Sequence, residues 1–165
     1  MATEDDFAEY VAGRWSALFR TAHLLTGRRD AAEDLVQEAL ITAYGRWERI
    51  RSMDAPDAYL RKVMLNAYLS ERRTRLRRAS RKHLTEVPAS PPPDPTVGID
   101  LWRGVRALPP RQRAVVVLRY YEDLTEADTA AALDCSIGTV KSQCHRALAA
   151  LKTTFADQST VQEQS

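Results

Sequence analysis

Three things are nearly missing from this 165-residue chain, and each absence excludes a class of protein. No apolar run approaches the roughly 20 residues of a membrane-spanning helix, so no membrane insertion is expected. The first ten residues, MATEDDFAEY, are acidic, unlike a secretory signal or a transit peptide, so a cytoplasmic protein is expected. Only two cysteines occur, Cys135 and Cys144, too few for a disulfide framework. Cys144 and His145 could pair on a metal, but neighbours on a helix point about 100° apart, and small packing residues are the better reading. The three histidines, His23, His83 and His145, are scattered, and no phosphate-binding glycine loop is present. No enzyme, metal or cofactor is expected.

Net charge is also nearly absent, at +2, yet the charges are segregated. Glu4, Asp5, Asp6 and Glu9 open the chain without a base. Between Arg61 and Lys82 nine basic residues face one acid, Glu71. A block of this kind attracts polyanions by counterion release.

What the chain has in quantity is helical periodicity. Phe7, Tyr10, Val11, Trp15, Leu18, Phe19, Ala22 and Leu25 recur at helical spacing after a frayed start, and Gly27 suits the end of that helix. Asp30 is placed to cap a second helix, AAEDLVQEALITAYGRW, with Ala32, Leu35, Val36, Ala39, Leu40, Ala43 and Trp47 inward. Asp54 and Pro56 suit the start of a third, residues 57–78, whose arginines gather at its far end. These three make a first bundle, residues 6–80. Residues 81–98 form a linker rich in proline (VPASPPPDPTVG), read either as a tether between two domains or as a surface loop within one. The periodicity stops and restarts across it, which favours the tether. A second, four-helix domain of residues 99–155 follows, close to the smallest size that folds unaided. Its first two helices carry Leu101, Trp102, Val105 and Leu108, then Ala114, Val115, Leu118 and Tyr121. Residues 156–165 are polar and read as a disordered tail. The fold class is therefore all-α, in two small domains.

Residues 124–151, LTEADTAAALDCSIGTVKSQCHRALAAL, organise the second domain. Thr125 can cap a helix over 126–133, with Asp128 completing an imperfect capping box. Asp134-Cys135-Ser136 breaks it, and Ser136 can cap the next helix. There Val140, Cys144, Ala147, Leu148 and Leu151 form one buried stripe, while Thr139, Lys141, Ser142, Gln143 and Arg146 point away. Short hydroxyl donors, an amide and two cations are what a helix needs to reach base edges and phosphates in a major groove. A plain helical hairpin with a solvated face would show the same amphipathicity. The wording T-x-x-x-T-A-x-x-L, a three-residue turn, then S-x-G-T-V-K-S-x-x-x-R-A-L-x-x-L favours a helix-turn-helix.

That wording closely resembles region 4 of the bacterial sigma-70 family. AAEDLVQEAL resembles region 2.2, YLRKVMLNAYLSERRTR regions 2.3 and 2.4, and LPPRQRAVVVLRYYEDLTEADTAAAL regions 4.1 to 4.2. The whole resembles a sigma factor of the extracytoplasmic-function type, nearest the actinobacterial SigE family. The resemblance implies a chain that binds core RNA polymerase, at its β′ clamp helices and β flap, reads −35 and −10 promoter elements and directs initiation. It implies that Asp34, Leu35, Gln37, Glu38 and Thr42 meet the clamp helices, an acidic and amide face suited to an arginine-bearing partner. It implies that Asn66 reads an unpaired −10 base, with Arg61, Lys62, Arg72, Arg73 and Arg75 on the strand phosphates. Tyr59 stands where the family usually has Trp and reads better as core than as a stacking residue. At the −35 element Ser142, Gln143 and Arg146 would face bases and Thr139 and Lys141 the backbone. Thr125 and Ser136 would donate to phosphates near helix N-termini. Arg111 and Arg113 are either further backbone contacts or ordinary surface arginines. An anti-sigma factor of unreadable identity is an implied partner, and the free protein is expected to be a monomer.

Three positions depart from the family pattern. Gln143 replaces a common arginine. Asp134 occupies a turn position usually given to glycine, which favours positive φ. Thr129 replaces a common isoleucine, so less apolar area should be buried there. The alternative reading, a stand-alone helix-turn-helix regulator with a sensor domain, would normally dimerise on a palindrome, but the first bundle shows no dimer seam and carries its own basic block.

Overall fold

The computed structural model describes residues 2–79 and 98–162, with side chains for residues 4–70, 98 and 100–156. Every regular element among the described residues is helical: α1 (Ala2–Thr26), α2 (Arg29–Tyr44), α3 (Trp47–Ile50), α4 (Pro56–Ala79), α5 (Ile99–Ala107), α6 (Pro110–Val116), α7 (Glu126–Leu133) and α8 (Ile137–Gln162). The chain divides into two compact units, Met1–Ser90 and Pro91–Ser165. The expected linker, residues 81–98, lies outside the described residues except for Gly98. Among the described residues no helix is long and apolar enough to cross a membrane.

In the first unit α1, α2 and α4 pack around Ala22, Leu25, Leu35, Val36, Ala39, Leu60, Met64, Leu65 and Tyr68, all at most 2% exposed. The stripe expected on α2 is buried throughout, yet two boundaries differ from the periodicity. Asp30 does not cap α2. Gly27, at φ 76°, turns the corner sharply enough for the helix to start two residues earlier, with Arg28 at the cap position. Asp30 falls in the first turn, where the helix dipole favours a carboxylate, and its hydrogen bond from Arg28 holds its pKa below the usual range. At the other end Gly45 stops α2, and Trp47 begins the separate turn α3. This lets the indole swing under α1, with Phe7 and Tyr10 ring centroids 5.1 and 4.9 Å away. Asp57 fastens α4 to α1. It accepts two bonds from Arg14 Nε (2.9 and 3.0 Å) and one from the Tyr10 hydroxyl at 2.6 Å. Burial alone would raise the Asp57 pKa, but these bonds outweigh it and hold the carboxyl below its usual range.

The second unit closes around Val105, Leu108, Val116, Ala147 and Leu151, with Phe155 packed against them. Gly104 lets α5 approach α8 closely, since a Cβ there would come within 2.9 Å of Leu151 Cδ2. Leu101, expected inward, is 43% exposed, because α5 is nine residues long and turns only its Trp102–Val105–Leu108 side to the core. After Val116 the helix widens into a single π turn, Val117–Tyr121, and Asp123 follows at φ 55°. Arg119 donates to the Leu124 carbonyl across that corner.

Residues 156–162, expected to belong to a disordered tail, are helical, and residues 163–165 lie outside the described residues. α8 continues to Gln162, with no glycine or proline after Gly138 to stop it and with Phe155 anchoring its later turns.

Thr129 is fully buried, and its hydroxyl has no hydrogen-bond partner among the described residues. An orphaned buried hydroxyl costs about 1–3 kcal/mol, which Thr129→Val removes at nearly constant shape. The variant is expected to gain about 1 kcal/mol in denaturant unfolding. A loss of stability would show that the hydroxyl is satisfied.

Candidate functional site

The α7–turn–α8 segment is built by local chemistry. The Thr125 hydroxyl accepts from the Asp128 amide at 3.0 Å and donates to the Asp128 carboxylate at 2.9 Å, starting α7 at Glu126 as the capping pattern predicts. Asp134 ends it in the left-handed region (φ 53°, ψ 51°), and the Cys135 amide donates back to the Ala130 carbonyl at 3.1 Å. Ser136 Oγ then accepts from the Thr139 amide at 3.1 Å and caps α8.

The left-handed Asp134 makes a direct prediction. Glycine escapes the Cβ strain there, although its freer unfolded chain offsets part of the gain, leaving about 0.5–1 kcal/mol. Asp134→Gly should raise the melting temperature of the second unit, and a lower one would refute the turn geometry.

Val140 and Ala147 are fully buried and Leu151 nearly so, which fixes the rotation of α8. Leu148, expected in that stripe, is 40% exposed and is a correction; Cys144 is half-buried, its Sγ 3.5 Å from the Tyr120 hydroxyl. The reason is the narrow contact. α5, α6 and α7 cover the side bearing Val140, Ala147 and Leu151, and Leu148 lies beyond its edge. Lys141, Ser142 and Arg146 are exposed, and Thr139 and Gln143 half-buried. Three groups are already engaged, Thr139 Oγ1 among them, 2.9 Å from Ser136 Oγ. Lys141 Nζ lies 3.7 Å from Glu126 Oε2, and Ser142 Oγ donates to the Thr139 carbonyl at 3.1 Å. The Thr125 hydroxyl, expected to donate to phosphate, has its proton on Asp128. Arg113 is a firmer correction. It is 5% exposed, and its Nη2 donates to the Arg106 and Leu108 carbonyls, so it is an interior tie, whereas Arg111 is exposed.

A second face lies on α2. Asp34, Gln37, Glu38 and Thr42 are all exposed on one side of the helix. Leu35 is 1% exposed and belongs to the core, contrary to the expectation that it joins this face; one residue from Asp34 rotates it about 100° inward. Sequence reasoning missed Ile41, which is 74% exposed amid these polar residues, and Tyr44 beside it, 46% exposed and hydrogen-bonded to Glu4 at 3.2 Å. The signal for Ile41 was its phase, opposite the buried stripe of its own helix.

On α4, Lys62 and Asn66 stand one turn apart on a common side, half-buried and exposed respectively. Arg61 lies close enough to Tyr10 of α1 and Asp57 of its own helix for its charge to act on both. Burial and the bond to Asp57 raise the Tyr10 pKa against it, and the bonds from Arg14 and Tyr10 that lower the Asp57 pKa act with it. The side chains of Arg72, Arg73 and Arg75 lie outside the described residues. Tyr59 is half-buried, and its hydroxyl accepts from Arg46 Nη1 at 2.9 Å. Among the described residues no His, Cys, Asp and Glu cluster could hold a metal ion.

Two family models match the chain, "Sigma-70 region 2" over residues 15–81 and "Sigma-70, region 4" over residues 99–151. The RNA polymerase sigma-E factor of Streptomyces avermitilis is 44% identical over 156 residues, covering 89% of this chain and 83% of the relative. An ECF RNA polymerase sigma factor, SigE of Mycolicibacterium smegmatis, is 31% identical over 166 residues, covering 95% and 64%. Among solved structures, the sigma factor RpoE of Bartonella quintana, crystallised with the anti-sigma factor NepR, superimposes with a TM-score of 0.76. Its identity is 26%, over 92% of this chain and 97% of that one.

Proposed function

This chain belongs to the sigma-70 family, as a factor of the extracytoplasmic-function type, and from that premise we propose how its two units divide the work of starting transcription. It is a sigma factor that binds core RNA polymerase, recognises promoter DNA and directs initiation; RNA synthesis belongs to the core enzyme. Residues 6–80 act as region 2 and residues 99–155 as region 4. Residues 81–98 are the tether that lets each reach its own promoter element. The protein works in the cytoplasm, has no catalytic activity of its own and is a monomer when free. An anti-sigma factor is its regulatory partner, as NepR is the partner crystallised with the Bartonella factor.

The observation that carries this division is the double-capped α7–turn–α8 unit, with Lys141, Ser142 and Arg146 exposed on a helix whose rotation Val140 and Ala147 fix. Ser142, Gln143 and Arg146 face −35 bases, and Thr139 and Lys141 the phosphates, with the N-terminal ends of α7 and α8 at Thr125 and Ser136 against the backbone. In region 2, Asn66 reads an unpaired −10 base, while Lys62, Arg61, Arg72, Arg73 and Arg75 follow the strand. The exposed α2 face of Asp34, Gln37, Glu38 and Thr42 meets the clamp helices. Gln143 in place of arginine favours an adenine contact over guanine. The stand-alone regulator is not favoured, because the first unit matches sigma-70 region 2.

The deciding experiment is run-off transcription with purified bacterial core polymerase, with and without this protein, on a library of candidate promoters. Protein-dependent transcripts sharing a −35/−10 spacing are expected. A stable dimer on duplex DNA, with neither transcripts nor core binding, would overturn the assignment.

A further inference from the structure

The first turn of α7 carries two acids, Glu126 and Asp128, beside donors that region 4 would present to DNA. Asp128 has a structural task, since its amide and carboxylate both bond the Thr125 hydroxyl that caps the helix. Glu126 has none of that kind. Its carboxylate lies 3.7 Å from Lys141 Nζ across the turn, and both side chains are well exposed, at 42% and 63%. A carboxylate there offers the ammonium the same contact as a phosphate oxygen.

We propose that Glu126 is an affinity-setting residue that competes internally with DNA, holding Lys141 until a backbone phosphate displaces it. The inference rests on the reading of α8 as the DNA-reading helix. Its physical consequence is twofold. Docking must exchange one ion pair for another, so Lys141 contributes less to affinity than an unpaired lysine would. The displaced carboxylate also takes up a cation, which offsets part of the counterion release that drives binding. Wild-type binding should therefore be weaker and less salt-sensitive than the same surface without Glu126. The effect reaches any duplex, because it acts on a phosphate contact and not on a base edge. It restrains the free protein from occupying arbitrary DNA.

The test is a double-mutant cycle in the full-length chain: wild type, Glu126→Gln, Lys141→Met and the double variant, titrated with a labelled mixed-sequence duplex across a salt series. All four should keep the wild-type melting profile, since neither side chain is buried. Glu126→Gln is expected to tighten binding about three- to fivefold at low salt, the scale of an exposed ion pair. It should also steepen the log–log salt slope by up to about one unit. In the Lys141→Met background both changes should vanish. Equal tightening in that background would overturn the proposal, since Glu126 would then act as bulk charge alone. So would unchanged affinity in Glu126→Gln when Lys141→Met weakens binding. If Lys141→Met itself leaves affinity and slope unchanged, Lys141 touches no phosphate, and that part of the α8 assignment falls with the proposal.

Discussion

Arg113→Ala is expected to remove most of the stability of the second unit while leaving the first unit's unfolding transition unchanged. Arg113 is 5% exposed, and its Nη2 gives hydrogen bonds to the carbonyls of Arg106 and Leu108, where α5 ends and the chain turns into α6. The last carbonyls of a helix have no partner within it, and they carry the negative end of its dipole. A buried guanidinium at that place satisfies both needs at once. Alanine leaves the carbonyls without this donor and deletes a buried side chain. Removing a charged donor from buried carbonyls costs about 1.5–3 kcal/mol per hydrogen bond. A unit of this size holds about 3–9 kcal/mol in all. Arg113→Lys keeps the charge but not the forked donors, so an intermediate loss is expected. Arg111→Ala, at an exposed position two residues earlier, should be silent. Thermal unfolding of the isolated variants reads all three, and an unshifted Arg113→Ala melt would show that the carbonyls find other donors.

Ile41→Asp is expected to weaken core polymerase binding by more than tenfold with a stability loss of about 1 kcal/mol or less, from a carboxylate in the last turn of α2. The side chain is 74% exposed, so burying a charge is not at issue. It sits among Asp34, Gln37, Glu38 and Thr42 as the apolar centre of an otherwise polar face. In interfaces a central apolar anchor ringed by polar groups carries a disproportionate share of the affinity, about 2 kcal/mol or more. Tyr44 extends the apolar strip, with Phe7 packed beneath it at 5.2 Å. Titration of labelled core enzyme would show the loss. Binding equal to wild type would mean that the partner lies elsewhere, and Ile41 would then be only a surface isoleucine.

Both variants turn on features that periodicity alone handles poorly. The spacing of apolar residues identifies which side of a helix faces inward, and it located α2 and α4 and the stripe of Val140, Ala147 and Leu151. It placed Leu35 in the core while the family resemblance placed it on the contact face, and only the packing of α1 and α4 against α2 separates those roles. It left Arg113 undecided because arginine is a surface residue by habit, and nothing in LPPRQRA marks it as buried. Ile41 was legible by phase, but an exposed isoleucine draws notice only when its burial is known.

The local grammar was decided by the sequence alone: caps at Thr125 and Ser136, the left-handed turn at Asp134, the extent of α7, and the family wording that assigns regions 2 and 4. These depend on interactions within three or four residues, which the chain order states outright. The interior tie of Arg113, the exposure of Leu148, the buried hydroxyl of Thr129 and the pairing of Lys141 with Glu126 were decided by tertiary structure. Each depends on which group from another helix, or from across a turn, arrives within a few ångströms. Spacing along one helix carries no record of that.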